Sequence, residues 1–211
     1  SAETNGSFNI TGSSQADTIT GGAGADTISS GNDADTIILG TNLTSSDTID
    51  GGAGTDELRF TDSGSATSDL DGVTNVETVT LGDAATSVTT VDALVGNGET
   101  LTVSAAALTG TNALTWDGSA ETNGSFNITG SSQADTITGG AQADTITAGS
   151  GDDTISGGND SDTIILGTNL TSSDTIDGGA GTDELRFTDS GSATSDLDGV
   201  TNVETVALGD A

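Results

Sequence analysis

Almost every side chain in this sequence that could do chemistry is a carboxylate. The chain of 211 residues carries 33 Asp and Glu, against Arg59 and Arg186 as its only cations, for a formal charge of −31. It has no His and no Cys. Oxygen donors without imidazole or thiolate suit hard cations such as calcium and not zinc or copper. Two arginines cannot form a basic surface that neutralises phosphates, which excludes nucleic acid as a partner. No run approaches the 18 or so apolar residues of a membrane span, so membrane insertion is excluded too. Lyases and hydrolases built on β-helices need a base or a cation in a cleft. This chain offers only carboxylates and two equivalent arginines, so it is predicted not to be an enzyme. A glycosidase-like carboxylate pair is the one catalytic alternative, and the spacing of the aspartates explains them better.

That spacing is set by internal repeats. Residues 1–28 return as 119–146 with one change, Gly24 to Gln142, and residues 39–84 return as 166–211 with one change, Thr80 to Ala207. The first offset is 118 and the second 127, so the second copy has gained one nine-residue piece. A fold that accepts such an insertion is modular at nine residues. The blocks of the first copy are GSSQADTIT from Gly12, GGAGADTIS from Gly21, SGNDADTII from Ser30, a twelve-residue LGTNLTSSDTID from Leu39, and GGAGTDELR from Gly51. The second copy runs GSSQADTIT from Gly130, GGAQADTIT from Gly139, AGSGDDTIS from Ala148, GGNDSDTII from Gly157, the twelve-residue variant from Leu166, and GGAGTDELR from Gly178. Each block ends in Asp, any residue, a large aliphatic, any residue.

The elements that must position the aspartates follow from the letters of one block. Thr-Ile-Thr is a short β-branched stretch, and alternation sends its Ile to one face and its neighbours to the other. The glycines ahead of it permit tight turns at little steric cost. Asn32, Asp33, Asn159 and Asp160 stand at turn positions where the left-handed region is tolerated. One strand with one buried Ile cannot be stable alone, so the blocks must wind into a solenoid that stacks Ile on Ile. If two blocks make one coil, residues 18 apart lie roughly 4.8 Å above one another. Asp17 then sits over Asp35, Asp135 over Asp153 and Asp144 over Asp162. Two carboxylates at that spacing repel by about 3 kcal/mol at an effective dielectric of about 20. A divalent cation between them reverses the sign, and turns rich in backbone carbonyls suit the flexible oxygen cage that calcium takes.

Blocks such as GGAGADTIS and GGAGTDELR resemble the GGxGxDxUx nonapeptide of the RTX (repeats in toxin) family. The resemblance covers nine nonapeptides and two twelve-residue variants, about half of the chain. It implies an all-β fold, a parallel β-roll or β-helix solenoid with calcium-binding turns, in which two nonapeptides form a coil. It further implies that Ca²⁺ is held by backbone carbonyls and by Asp17, Asp26, Asp35, Asp47, Asp56, Asp135, Asp144, Asp153, Asp162, Asp174 and Asp183. GSSQADTIT departs from the pattern by lacking Gly at its second and fourth positions, and pairs that cross the twelve-residue variant, such as Asp35 with Asp56, are 21 apart.

The predicted organisation is a first β-roll over 1–59, a β-rich spacer or further solenoid coils over 60–118, a second β-roll over 119–186, and the start of a second spacer over 187–211. Short helical turns are expected near VDALV and SAAAL. Trp116 and the phenylalanines Phe8, Phe60, Phe126 and Phe187 are expected in the core, and Arg59 and Arg186 paired with nearby carboxylates. Ala211 aligns with Ala84, so the sequence reads as a window on a longer array. The spacer segments resemble those of large bacterial surface-layer proteins and adhesins. The function expected is that of a secreted, calcium-binding structural repeat protein at the bacterial cell surface: part of a surface layer, an adhesin stalk or an extracellular filament that stiffens on calcium. Its partners would be calcium and neighbouring or self-associating repeats. The alternatives are an adhesive module, including an ice-binding one built on outward Thr ladders, and a non-catalytic ancillary domain of a secreted RTX enzyme or toxin.

Overall fold

The structure is a computed structural model and describes residues 6–62, 69–188 and 197–209. Part of the first β-roll and parts of both spacers therefore lie outside the described residues. Successive strands alternate between two walls, and all pair in parallel. One wall is a continuous ten-stranded sheet that starts at Thr18–Thr20, Thr36–Gly40 and Glu57–Phe60 and ends at Glu184–Phe187 and Thr205–Leu208. The other wall is split into a four-stranded sheet, Asn9–Ser13 to Val73–Thr74, and a six-stranded sheet, Thr86–Thr89 to Val200–Thr201. The fold is an all-β parallel solenoid, and no helix occurs among the described residues.

Register follows the repeat. Ile19 pairs with Ile37, Ile10 with Ile28, Ile137 with Ile155 and Ile146 with Ile164, each pair separated by the length of two nonapeptides. Across the twelve-residue variant the step is longer, pairing Ile37 with Leu58 and Ile164 with Leu185. The added length is absorbed in the turn, so the column of aliphatic side chains is unbroken. Apart from Ile10 on the first coil, which is half-buried, each aliphatic in it is buried between the walls, and each such burial contributes on the order of 1.5–3 kcal/mol. The flanking Thr18, Thr27, Thr136 and Thr154 point outward and are exposed.

The segment 60–118 continues the same walls with longer coils. Val79 pairs with Val103, Leu101 with Phe126 and Val88 with Trp116, each step longer than any between nonapeptides. Trp116, Phe60, Phe126 and Phe187 are buried and Phe8 is half-buried. Trp116 meets Phe126 edge-on, with ring centroids 5.6 Å apart. The helical turns expected at VDALV and SAAAL are single turns instead, closed by Leu94 N–H to Val91 O (3.1 Å) and Leu108 N–H to Ala105 O (3.0 Å). These stretches are too short to nucleate helix, and the parallel ladder resumes within a few residues.

Candidate metal centre

The turn before each nonapeptide strand carries its aspartate inward. Asp26, Asp35, Asp47, Asp56, Asp135, Asp144, Asp153, Asp162, Asp174 and Asp183 are all at most 2% exposed, and Asp17, on the first coil, is half-buried. They form one row along each edge of the solenoid, because each carboxylate reaches the coil before it. On the edge that feeds the ten-stranded sheet, Asp35 Oδ1 accepts from Asp17 N–H, Asp56 Oδ1 from Asp35 N–H, Asp162 Oδ1 from Asp144 N–H and Asp183 Oδ1 from Asp162 N–H, all at 2.8 Å. The other edge has the same link from Asp26 N–H to Asp47, from Asp135 N–H to Asp153 and from Asp153 N–H to Asp174, at 2.8–2.9 Å. The rows run through the longer steps of the twelve-residue variant as well as the regular ones. They are not bare ladders of charge: one oxygen of each linked carboxylate is satisfied by a peptide donor, which is the stronger charge-assisted kind of hydrogen bond.

The second oxygen divides the turns. In six of them it is capped from within the same turn: Asp17 Oδ2 by Ser13 N–H, Asp26 by Gly22 N–H, Asp47 by Thr44 N–H, Asp135 by Ser131 N–H, Asp144 by Gly140 N–H and Asp174 by Thr171 N–H. In the other five, Oδ2 of Asp35, Asp56, Asp153, Asp162 and Asp183 is buried and has no hydrogen-bond partner. The division tracks the backbone at the second position of the nonapeptide. Gly31, Gly52, Gly149, Gly158 and Gly179, which precede the five uncapped aspartates, have φ between 89° and 117°. Ser13, Gly22, Ser131 and Gly140, which cap, do not have positive φ. At Gly158 the requirement for glycine is double, since a Cβ would also strike the carbonyl of Gly140. In the two GGAGTD turns the second-position N–H is held elsewhere: Gly52 donates to Asp50 Oδ1 (3.0 Å) and Gly179 to Asp177 Oδ1 (3.2 Å). Asp33 and Asp160 also take positive φ, whereas Asn32 and Asn159 do not.

Burial dominates the electrostatics of the row. It pushes the Asp162 carboxyl up to about 7, with the charges of Asp144, Asp183 and Asp160 adding to the rise. It raises Asp153 and Asp144 to about 6, and it raises Asp56, where Glu77 and Asp35 contribute. Asp69, in the spacer, is raised to about 6 by burial and by Asp62, Asp47 and Asp71. The two arginines are spent locally: Arg59 pairs with Glu57 (2.7 Å) and Arg186 with Glu184 (2.6 Å), both guanidinium groups half exposed.

Three buried or linking glutamates belong to these turns and are missed by the nonapeptide pattern. Glu77 Oε2 accepts from Asp56 N–H (2.7 Å) and Glu204 Oε2 from Asp183 N–H (2.9 Å), each continuing the link one coil past the last aspartate. Glu121 is fully buried and accepts from Val95, Asn123 and Gly124 N–H. The signal for the first two was present: Glu-Thr-Val repeats the acid, any residue, aliphatic order of Asp-Thr-Ile, and Val79 stacks on Leu58 as Val206 does on Leu185.

The donor set fits a calcium ion. No cluster of three or more His, Cys, Asp or Glu side chains that could hold a metal occurs among the described residues, so a cation in a turn must take most of its ligands from peptide carbonyls and solvent. Calcium accepts such ligands in flexible geometry. In the turn of Asp162 glycine at the first position makes the room, since a Cβ on Gly157 would strike Oδ2 of Asp162. Parallel coils with an inward carboxylate in every nonapeptide turn define a class, the calcium-binding repeat β-solenoids. Four stretches, residues 9–41, 44–60, 129–164 and 171–187, match the RTX calcium-binding nonapeptide repeat. Just under half of the chain is thus RTX repeat, and calcium is its cofactor. No curated protein and no solved structure matches the chain.

Proposed function

We propose that the chain is a secreted, calcium-dependent structural segment of a bacterial surface layer, adhesin stalk or extracellular filament, which folds and stiffens when calcium enters its turns. The observation that carries this reading is the double row of buried, stacked aspartates on a chain of net charge −31. The eleven repeat aspartates, nine in nonapeptides and two in the twelve-residue variants, are the pool from which side-chain ligands are drawn, together with carbonyls of their turns. Bound calcium supplies positive charge that offsets stacked carboxylates and ties one coil to the next. The chain's own part is to aim the carboxylates inward and keep the coils in register. Extracellular modules bind calcium at roughly 10⁻⁴–10⁻³ M, so the segment would be unfolded where calcium is scarce and rigid where it is plentiful.

Near-identical tandem copies favour a structural role, because duplication lengthens a solenoid without adding a new kind of site. Arg59 and Arg186 are half exposed, and each is bound to a glutamate of its own strand. The boundaries at 59/60, 118/119 and 186/187 are proposed to separate calcium-dependent coils from coils that need none. Electron microscopy of purified protein with and without millimolar calcium tests the structural role. Filaments, ordered lattices or stiff rods that appear only with calcium are expected; the same flexible chain in both conditions would contradict it.

A further inference from the structure

We infer that the nonapeptide turns are of two kinds, and that calcium is taken only at the five whose aspartate is uncapped: Asp35, Asp56, Asp153, Asp162 and Asp183. The inference rests on the reading of the chain as calcium-dependent and says which turns carry that dependence. Two features coincide at these five and at none of the other four nonapeptide turns. The second carboxylate oxygen is buried without a partner, so no peptide N–H of the turn caps it, and the second-position residue is a glycine with positive φ. A buried anionic oxygen without a donor is costly, and a cation is the partner this chemistry lacks. At the capped turns that demand is already met by the chain. A cation arriving there would have to displace a charge-assisted hydrogen bond such as Gly140 N–H to Asp144 (2.6 Å). The capped turns are calcium-independent staples.

The arrangement along the solenoid is specific. Asp35 and Asp56 stack directly, as do Asp162 and Asp183, all four on the edge that feeds the ten-stranded sheet. Each copy thus has one pair of consecutive uncapped turns, and in each the pair spans the longer step of the twelve-residue variant. Asp153 lies on the opposite edge between the capped Asp135 and Asp174. The second copy, one nonapeptide longer, holds three uncapped turns against two in the first.

The test is bound calcium per chain, measured by equilibrium dialysis against calcium chloride, for the unmodified protein and for single Asp→Asn variants. Asp162→Asn, Asp56→Asn and Asp153→Asn are each expected to lose at least one calcium. Asp144→Asn and Asp26→Asn are expected to bind as many as the parent. Calcium loss at Asp144→Asn or Asp26→Asn equal to that at Asp162→Asn would overturn the division while leaving the calcium-dependent reading intact. Absence of binding by the parent at millimolar calcium would overturn both. Should a variant fail to fold, anomalous scattering from crystals of the unmodified, calcium-loaded protein decides the same question. Among the nonapeptide turns, metal beside the five named aspartates alone is expected, and metal in the turns of Asp26, Asp135 or Asp144 would refute the division.

Discussion

The nonapeptide coils and the coils between them build the same parallel ladder from different materials. A nonapeptide coil closes within two blocks, or within one block and one twelve-residue variant, and buries one or two aliphatics per strand above a carboxylate. A spacer coil is longer and fills its centre with Leu101, Val103, Leu114 and the large ring of Trp116, which packs on Phe126 of the second copy. Its acidic groups are held differently too. Asp83 accepts from Thr109 and Asn112, and Asp92 from Thr122 and Asn123, both at the surface, where these donors hold the carboxyls below the usual range. Buried Glu121 has peptide donors on both oxygens. The lesson is that a solenoid tolerates acid in its turns when the acid is fully bonded. Among the described residues, bare buried carboxylate oxygens occur in the nonapeptide coils and at Asp69, which lies where the first copy passes into the spacer and feels the charge of Asp47. The need for an ion is therefore concentrated in the nonapeptide coils.

The comparison can be broken most forcefully through the spacer core. Trp116→Ala removes a fully buried ring stacked between Val88 and Ile137 and is expected to cost about 3–5 kcal/mol. Urea unfolding at two saturating calcium concentrations should return the same loss. A loss that varies with calcium would mean that the spacer shares the ion's work. A smaller effect, of about 1.4 kcal/mol with calcium at roughly ten times its Kd, is expected for Asp162→Asn. Without calcium its sign reverses, because a bare buried carboxylate has been removed. The variant in EDTA should keep more β-structure than the parent by circular dichroism, and keeping less would count against the role given to that oxygen.

The gentlest perturbation is pH. The folded-state values of Asp162, about 7, and of Asp153, Asp144 and Asp69, about 6, lie above the ordinary 3.8. Between about pH 4 and 7 the folded chain therefore binds more protons than the unfolded one, so metal-free stability falls as pH rises through this window. Calcium competes with those protons. Lowering the pH from about 7.5 to about 5 should partly restore β-structure in EDTA while raising the calcium concentration needed for half-saturation. A single pH trend shared by the metal-free and calcium-loaded forms would contradict this.

Much of the architecture was legible in the sequence because a solenoid repeats its sequence pattern in space. The Ile column from Ile19 to Leu58, the stacking of Asp17 on Asp35 and the burial of Trp116 all follow from period and alternation. The spacer coils were harder to place. The steps from Val79 to Val103, from Leu101 to Phe126 and from Val88 to Trp116 all differ in length, which leaves no fixed period to read. The difference between capped and uncapped turns was not legible at all. GGAGAD before Asp26 and GGAGTD before Asp56 differ in one small residue, yet Gly22 caps its aspartate and Gly52 does not. What separates them lies outside the block: Asp50 draws the Gly52 N–H away and is itself held by Asn75 from the next coil. Glu77, Glu121 and Glu204 escaped because the pattern asked for Asp.

The central claim is that calcium, and not apolar burial alone, holds the nonapeptide coils. Far-ultraviolet circular dichroism of the unmodified chain in millimolar calcium, then in excess EDTA, then with calcium restored, tests it most directly. The account predicts a β-sheet spectrum that collapses on chelation and returns with calcium. A β-sheet spectrum unchanged by EDTA would contradict it.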